Sequence, residues 1–114
     1  MSVSQSKFSC QLVDDDPNII SLLKSFFKDT SYQIYTAMNG KSALSLIEKT
    51  RIDATLIDLV MPGMDGITLL KEIKKDYPET MAIILSGYGC IESAVKAIKL
   101  GAVGFLEKPI SPRA

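Results

Sequence analysis

A chain of 114 residues is long enough for one domain with one core and too short for two. Thirteen basic residues balance thirteen acidic ones, so net charge gives no reason to expect nucleic acid or an anionic membrane as a partner. No apolar run approaches the ~20 residues of a bilayer span, Met1 to Lys7 is polar rather than signal-like, and the lack of histidine and of paired-cysteine spacing argues against a zinc site.

In chain order, residues 1–7 read as a flexible lead-in, 8–110 as the domain and 111–114 as a short tail. Phe8 to Val13 reads as a first strand, made more polar than usual by Ser9 and Gln11. Asp16-Pro17 starts a helix, with Asp16 as N-cap and Pro17 in the first turn. Ile19, Leu22, Leu23 and Phe26 then recur at the spacing of one helical face, with Ile20 and Phe27 beside it. Tyr32 to Ala37 is a second strand. Asn39 caps a helix over 40–50 that points Ala43, Leu44 and Ile47 inward, and Ala54 to Ile57 is a third strand. Residues 62–66 form a loop rich in breakers, and Leu70, Ile73 and Tyr77 mark a third helix. Met81 to Leu85 is the unbroken apolar run of a strand buried on both faces. Ile91, Ala94, Val95 and Ile98 give the fourth helix its face, Gly101 ends it, and Val103 to Leu106 forms a fifth strand. Cys10 and Cys90 lie in apolar segments and are too few for a disulfide framework, which fits a cytoplasmic setting.

Strands alternating with helices argue for an α/β fold, a parallel sheet with helices on both faces. Ligands of such sheets bind beyond the carboxyl ends of the strands. Those ends carry Asp14 and Asp15, Asp58, Ser86 and Lys108. Taken singly, each has a plainer reading, as a cap, a turn serine or a solvated lysine, and Asp16 is best read as a cap alone. Adjacent acids repel each other unless something positive holds them, and a hard oxygen-seeking cation such as Mg²⁺ answers that repulsion. With its charge offset by the metal, the Asp58 carboxylate can attack phosphorus. Lys108 and Ser86 are a cation and a hydroxyl donor of the kind that developing phosphoryl charge requires.

The stretches 12–17, 56–66, 84–89 and 101–109 resemble, in order and spacing over nearly the whole chain, the receiver domain of two-component response regulators. The resemblance implies a flavodoxin-like three-layer sandwich with strand order 2-1-3-4-5. It implies Asp58 as phosphoacceptor, Mg²⁺ (or Mn²⁺) bound by Asp15, Asp58 and the backbone carbonyl of Val60, and Asp14 acting through a metal-bound water. Ser86 would hydrogen-bond the phosphoryl group and Lys108 would pair with it. The phosphodonor would be a phosphohistidine on a sensor histidine kinase or histidine phosphotransfer protein. Ser86 and Phe105 would carry the switch, with strand-five core as the plainer reading of Phe105. The surface of strand four, helix four and strand five would signal to an output domain. Val60 and Tyr88 would tune attack of water on the acyl phosphate and slow it. The run Ser86-Gly87-Tyr88-Gly89 looks most like receivers ahead of transcription activators of the nitrogen-regulation class.

Three rival readings are open to test on the residues. Asn39-Gly40-Lys41-Ser42 lacks the glycine a P-loop needs five residues before Gly40, where Tyr35 stands. A haloacid-dehalogenase-type phosphatase would need a second acid two residues after Asp58, where Val60 stands. The alternative that remains is a degenerate receiver serving as a protein-binding module, although no acid, hydroxyl or lysine of the set is missing. The expected protein is therefore a regulatory domain rather than an enzyme, with no direct contact to nucleic acid or membrane. Family domains continue into a fifth helix for which this chain has no room. That would leave Ile19, Ile20, Leu23, Phe26 and Phe27 without a cover and favour a homodimer.

Overall fold

Each apolar run read as a strand enters one sheet. The computed structural model describes residues 7–61, 63–87 and 91–107. Within them the order is β1 (Ser9–Val13), α1 (Pro17–Phe26), β2 (Gln33–Ala37), α2 (Gly40–Lys49), β3 (Ala54–Asp58), α3 (Gly66–Asp76), β4 (Met81–Ser86), α4 (Ile91–Lys99) and β5 (Gly104–Glu107). All strand pairs are parallel, in the order β2-β1-β3-β4-β5. This is the flavodoxin-like arrangement that the resemblance implies. Expectations about residues 1–6, Pro62, Tyr88, Cys90 and 108–114, including Lys108 and the lack of a fifth helix, lie outside the described residues.

Helices α1 and α2 start where side chains can satisfy free N–H groups. Asp16 accepts from the Asn18 N–H at 2.9 Å and Asn39 from the Ser42 N–H at 2.8 Å. Helix α4 is followed by Gly101 at φ +115°, and the Ala102 N–H donates back to the Ala97 carbonyl at 3.0 Å. Gly101 therefore ends that helix as expected, in a conformation that glycine adopts without a Cβ penalty.

Two apolar layers hold the sheet. On one face Val13, Ile57 and Ile84 pack with Ala43 and Ile47 of α2, Leu69, Leu70 and Ile73 of α3, and Ala97 of α4. On the other, Cys10, Leu12, Leu56 and Leu85 pack with Ile20 and Leu23 of α1. Burial on both faces is why β4 reads as a nearly continuous apolar run. Burial also raises the Cys10 thiol pKa to about 11, so it stays protonated at neutral pH.

Several expectations are corrected in detail. Helix α1 turns Ile20 and Leu23 inward, with Ile19 and Phe27 beside them, while Phe26 is exposed. In α4 the inward residues are Ala94 and Ala97, whereas Val95 and Ile98 are 46% and 42% exposed. The short alanine side chains let α4 lie close to the sheet, so packing distance overrides the larger apolar side chains one step around the helix. Met81 at the start of β4 is exposed rather than buried. Strand β5 begins at Gly104, leaving Val103 outside it, and Phe105 is 40% exposed at the sheet edge rather than part of the core.

Gln11, fully buried in β1, sits opposite Thr55 of β3. Its amide donates to the Ala43 carbonyl of α2 at 3.0 Å and accepts from the Thr55 hydroxyl at 3.1 Å. A buried polar pair is tolerated because it is satisfied, and stranding one member is costly. Thr55→Val should therefore destabilise the protein by about 1–3 kcal/mol in urea unfolding. The double variant Gln11→Leu/Thr55→Val should recover part of that loss.

Candidate functional site

The carboxyl ends of β1, β3 and β4 meet at one edge of the sheet. Beyond β1 the Asp14 N–H donates to the Ala37 carbonyl at 3.1 Å, which carries the β1–β2 ladder one residue past Val13. Asp14 is thereby fixed and fully buried, and its Oδ1 accepts the Asp16 N–H at 2.9 Å. Asp15, the next residue, is exposed. Asp58 is the last residue of β3 and lies opposite Leu85 of β4. It is 4% exposed. The Leu59 N–H donates to the Leu85 carbonyl at 3.1 Å and anchors the backbone just past it. Ser86 ends β4, is buried, and donates its hydroxyl to the Gly87 carbonyl at 3.3 Å.

Asp14, Asp15 and Asp58 each bring a carboxylate oxygen to within 4.8 Å of the others. Carboxylates gathered so closely, two of them on buried residues, favour a cation beside them. Their donor set is all oxygen and strongly anionic, which suits a hard divalent cation such as Mg²⁺ better than a soft one. The residues present therefore fit the metal that the sequence implies. Val60 follows at the rim, 69% exposed, and its N–H reaches Asp58 Oδ1 at a long 3.4 Å. Of the residues singled out in the sequence, Asp14, Asp15 and Asp58 are thus brought together, with Ser86 ending the strand beside β3 and Val60 at the mouth. Phe105 stands one strand further out, opposite Ile84 of β4.

The loop from β3 to α3 contains two features read in the sequence only as breakers. Asp65 is the N-cap of α3, accepting the Thr68 N–H at 2.8 Å. Gly66 opens the helix and donates its N–H to the Leu59 carbonyl at 2.9 Å. An Asp-Gly pair four residues ahead of Leu69-Leu70 is the signal that could have revealed the cap.

The profile of the response regulator receiver domain matches residues 11–114 of the chain. This chain belongs to the response regulator receiver family. The receiver is 39% identical over 102 residues to the nitrogen assimilation regulatory protein NtrX of Azorhizobium caulinodans, covering 88% of this chain and 22% of that protein. It is 38% identical over 99 residues to the transcriptional regulatory protein GlrR of Escherichia coli, covering 87% and 22%. The crystal structure of the NtrX receiver domain from Brucella abortus superposes with a TM-score of 0.85 at 38% identity, covering 90% of this chain and 87% of that one. The receiver thus spans about a fifth of the length of these curated relatives. Their transcription-regulator names agree with the nitrogen-regulation resemblance read from the sequence. No helix among the described residues is long and apolar enough to cross a membrane.

Hydrogen bonds from Thr68, with Lys71 nearby, hold the Asp65 carboxyl below its ordinary pKa of 3.8. A depressed folded value means that the cap contributes fully above the unfolded pKa and is lost as pH falls through the folded one. Asp65→Ala should cost about 0.5–2 kcal/mol near neutral pH. In urea titrations the gap from wild type should stay open well above pH 3.8 and close below it.

Proposed function

We propose that this receiver is a phosphorylation switch in which Asp58 takes a phosphoryl group from a phosphohistidine of a sensor histidine kinase or histidine phosphotransfer protein, with Mg²⁺ or Mn²⁺ held by Asp14, Asp15 and Asp58. The observation that carries this reading is the convergence of the three carboxylates within 4.8 Å at the ends of two adjacent strands. Asp15, Asp58 and the Val60 carbonyl would be direct ligands, with Asp14 acting through a bound water. When bound, the cation offsets the carboxylate charge and stabilises charge developing on the phosphoryl oxygens.

An Asp58 carboxylate oxygen forms a bond to phosphorus while the phosphorus–nitrogen bond of the donor breaks. The electron pair leaves with the donor imidazole, which takes up a proton, and an acyl phosphate remains on Asp58. The Ser86 hydroxyl, which donates to its neighbour's carbonyl at 3.3 Å, can exchange that weak partner for a phosphoryl oxygen. Lys108, read from the sequence, supplies the pairing cation. Phe105, half-exposed on the edge strand, would follow Ser86 by turning inward, held by packing because it has no hydroxyl. The altered surface would comprise β4, α4 and β5, where Val95, Ile98 and Leu106 are exposed, and would control a transcription-regulating output domain. No observation favours the degenerate, non-phosphorylated reading, since the carboxylates that such a receiver could lose are present and converge.

Acetyl phosphate with Mg²⁺ should label the protein with one phosphoryl group, detected by intact mass. Labelling should vanish in Asp58→Asn and with excess EDTA. A wild type that takes no label, or an Asp58→Asn variant that labels as wild type does, would overturn the phosphoacceptor role.

Loss of the phosphoryl group requires water in line with the Asp58–phosphorus bond. The apolar Val60 at the mouth offers that water no hydrogen bond, and the bulk of Tyr88, read from the sequence, would hinder its approach. Val60→Asn should accelerate dephosphorylation by about threefold to tenfold, the worth of one oriented hydrogen bond. Decay of the labelled species on intact-mass spectra measures it, and an unchanged lifetime counts against the role of Val60.

A further inference from the structure

The turn that follows Asp58 closes against the phosphoacceptor's own backbone. Helix α3 begins at Gly66, and a Cβ added there would lie 2.6 Å from Leu59 Cα and 3.0 Å from the Asp58 carbonyl carbon, with the Asp58 carbonyl oxygen nearer still. These are backbone atoms, which cannot swing aside as the end of a flexible side chain can. Gly66 is not among the glycines with positive φ, so space rather than an unusual backbone angle demands the missing side chain. The same residue donates its N–H to the Leu59 carbonyl at 2.9 Å, while the Leu59 N–H donates to the Leu85 carbonyl at 3.1 Å. The two peptides flanking the Leu59 Cα are thus held, the one from Asp58 by β4 and the one to Val60 by the first turn of α3.

Local helix preference points the opposite way. Alanine inside a helix is favoured over glycine by up to about 1 kcal/mol. If only the helix mattered, Gly66→Ala would be neutral or stabilising. The contact with Asp58 and Leu59 makes the site, not the helix, the part that suffers.

We propose that Gly66 is a positioning residue for the phosphoacceptor: its lack of a side chain sets how far the Asp58 peptide can settle, and so where the carboxylate stands relative to Asp14 and Asp15. This rests on the reading of Asp58 as phosphoacceptor and deepens it. To reach ordinary contact distance, alanine at 66 must push the 58–59 peptide or the start of α3 by several tenths of an ångström or more. Displacements of about 1 Å at a reacting centre cost about 10²-fold in rate. Because one movement shifts a metal ligand and the nucleophile together, metal affinity and phosphoryl uptake should fall in parallel.

Gly66→Ala is compared with wild type and with Gly104→Ala on β5, where an added Cβ meets nothing within 4 Å. The 114-residue chain is used throughout. Three quantities are measured: the urea midpoint, Mn²⁺ binding by calorimetry, and the rate of labelling by acetyl phosphate. Gly66→Ala should unfold cooperatively and lose about 10- to 100-fold in both Mn²⁺ affinity and labelling rate. Gly104→Ala should stay within about twofold of wild type in both. Mn²⁺ affinity and labelling in Gly66→Ala within about threefold of wild type would overturn the proposal. Loss of cooperative unfolding in that variant would overturn it too, because the glycine would then serve the fold at large. A wild type that binds Mn²⁺ but takes no label overturns the phosphoacceptor reading instead, and the Mn²⁺ isotherms alone then decide for or against Gly66.

Discussion

The parallel pairing of β1 with β3, which sets Val13 beside Ile57, governs the rest of the molecule. It aligns the ends of two strands so that the acids following one and closing the other must share a space a few ångströms across. Carboxylates gathered in so small a space favour a cation among them. The register is imposed from below, where Leu12, Val13, Leu56 and Ile57 are buried on the two faces of the sheet. A one-residue slip would turn each strand's apolar side chains to the wrong layer. The Gln11–Thr55 hydrogen bond adds a penalty for a two-residue slip, which would keep the faces correct but strand a buried amide. Apolar packing thus sets the register that gathers the three carboxylates.

The site's floor and rim differ in character. Asp14, Asp58 and Ser86 are buried and tied to neighbouring strands by backbone pairing. Val60 and Asp15 are exposed on the loops just beyond. A buried floor with an open mouth leaves the three carboxylates fixed yet reachable from solvent. Cap and close approach occur side by side in α3, where Asp65 caps the first turn and Gly66 lets that turn approach the backbone of Asp58.

The two faces of the sheet are unequally covered among the described residues. Helices α2, α3 and α4 share one face, whereas α1 covers part of the other. At the edge, β5 keeps Phe105 and Leu106 substantially exposed, and α4 turns Val95 and Ile98 outward. A surface built this way can change by small movements of side chains and of one edge strand without disturbing the core. That separates the buried strand-end cluster from the exposed β4–α4–β5 surface.

By itself the sequence determined the alternation of strands and helices, the caps at Asp16 and Asn39, and the residue types at the strand ends. These are local properties: burial on two faces writes continuous apolar runs, and cap chemistry acts over a few residues. Only the tertiary structure decided which side of α4 faces inward, because close approach to the sheet selected Ala94 and Ala97 over the larger Val95 and Ile98. It also decided that Phe105 lies at an exposed edge and that Gly66 abuts the backbone of Asp58. Such facts depend on distances between elements far apart in the chain, which hydrophobic period does not encode. The acids could be listed from the sequence, but their convergence within 4.8 Å is a consequence of strand register, and register exists only once the sheet has formed.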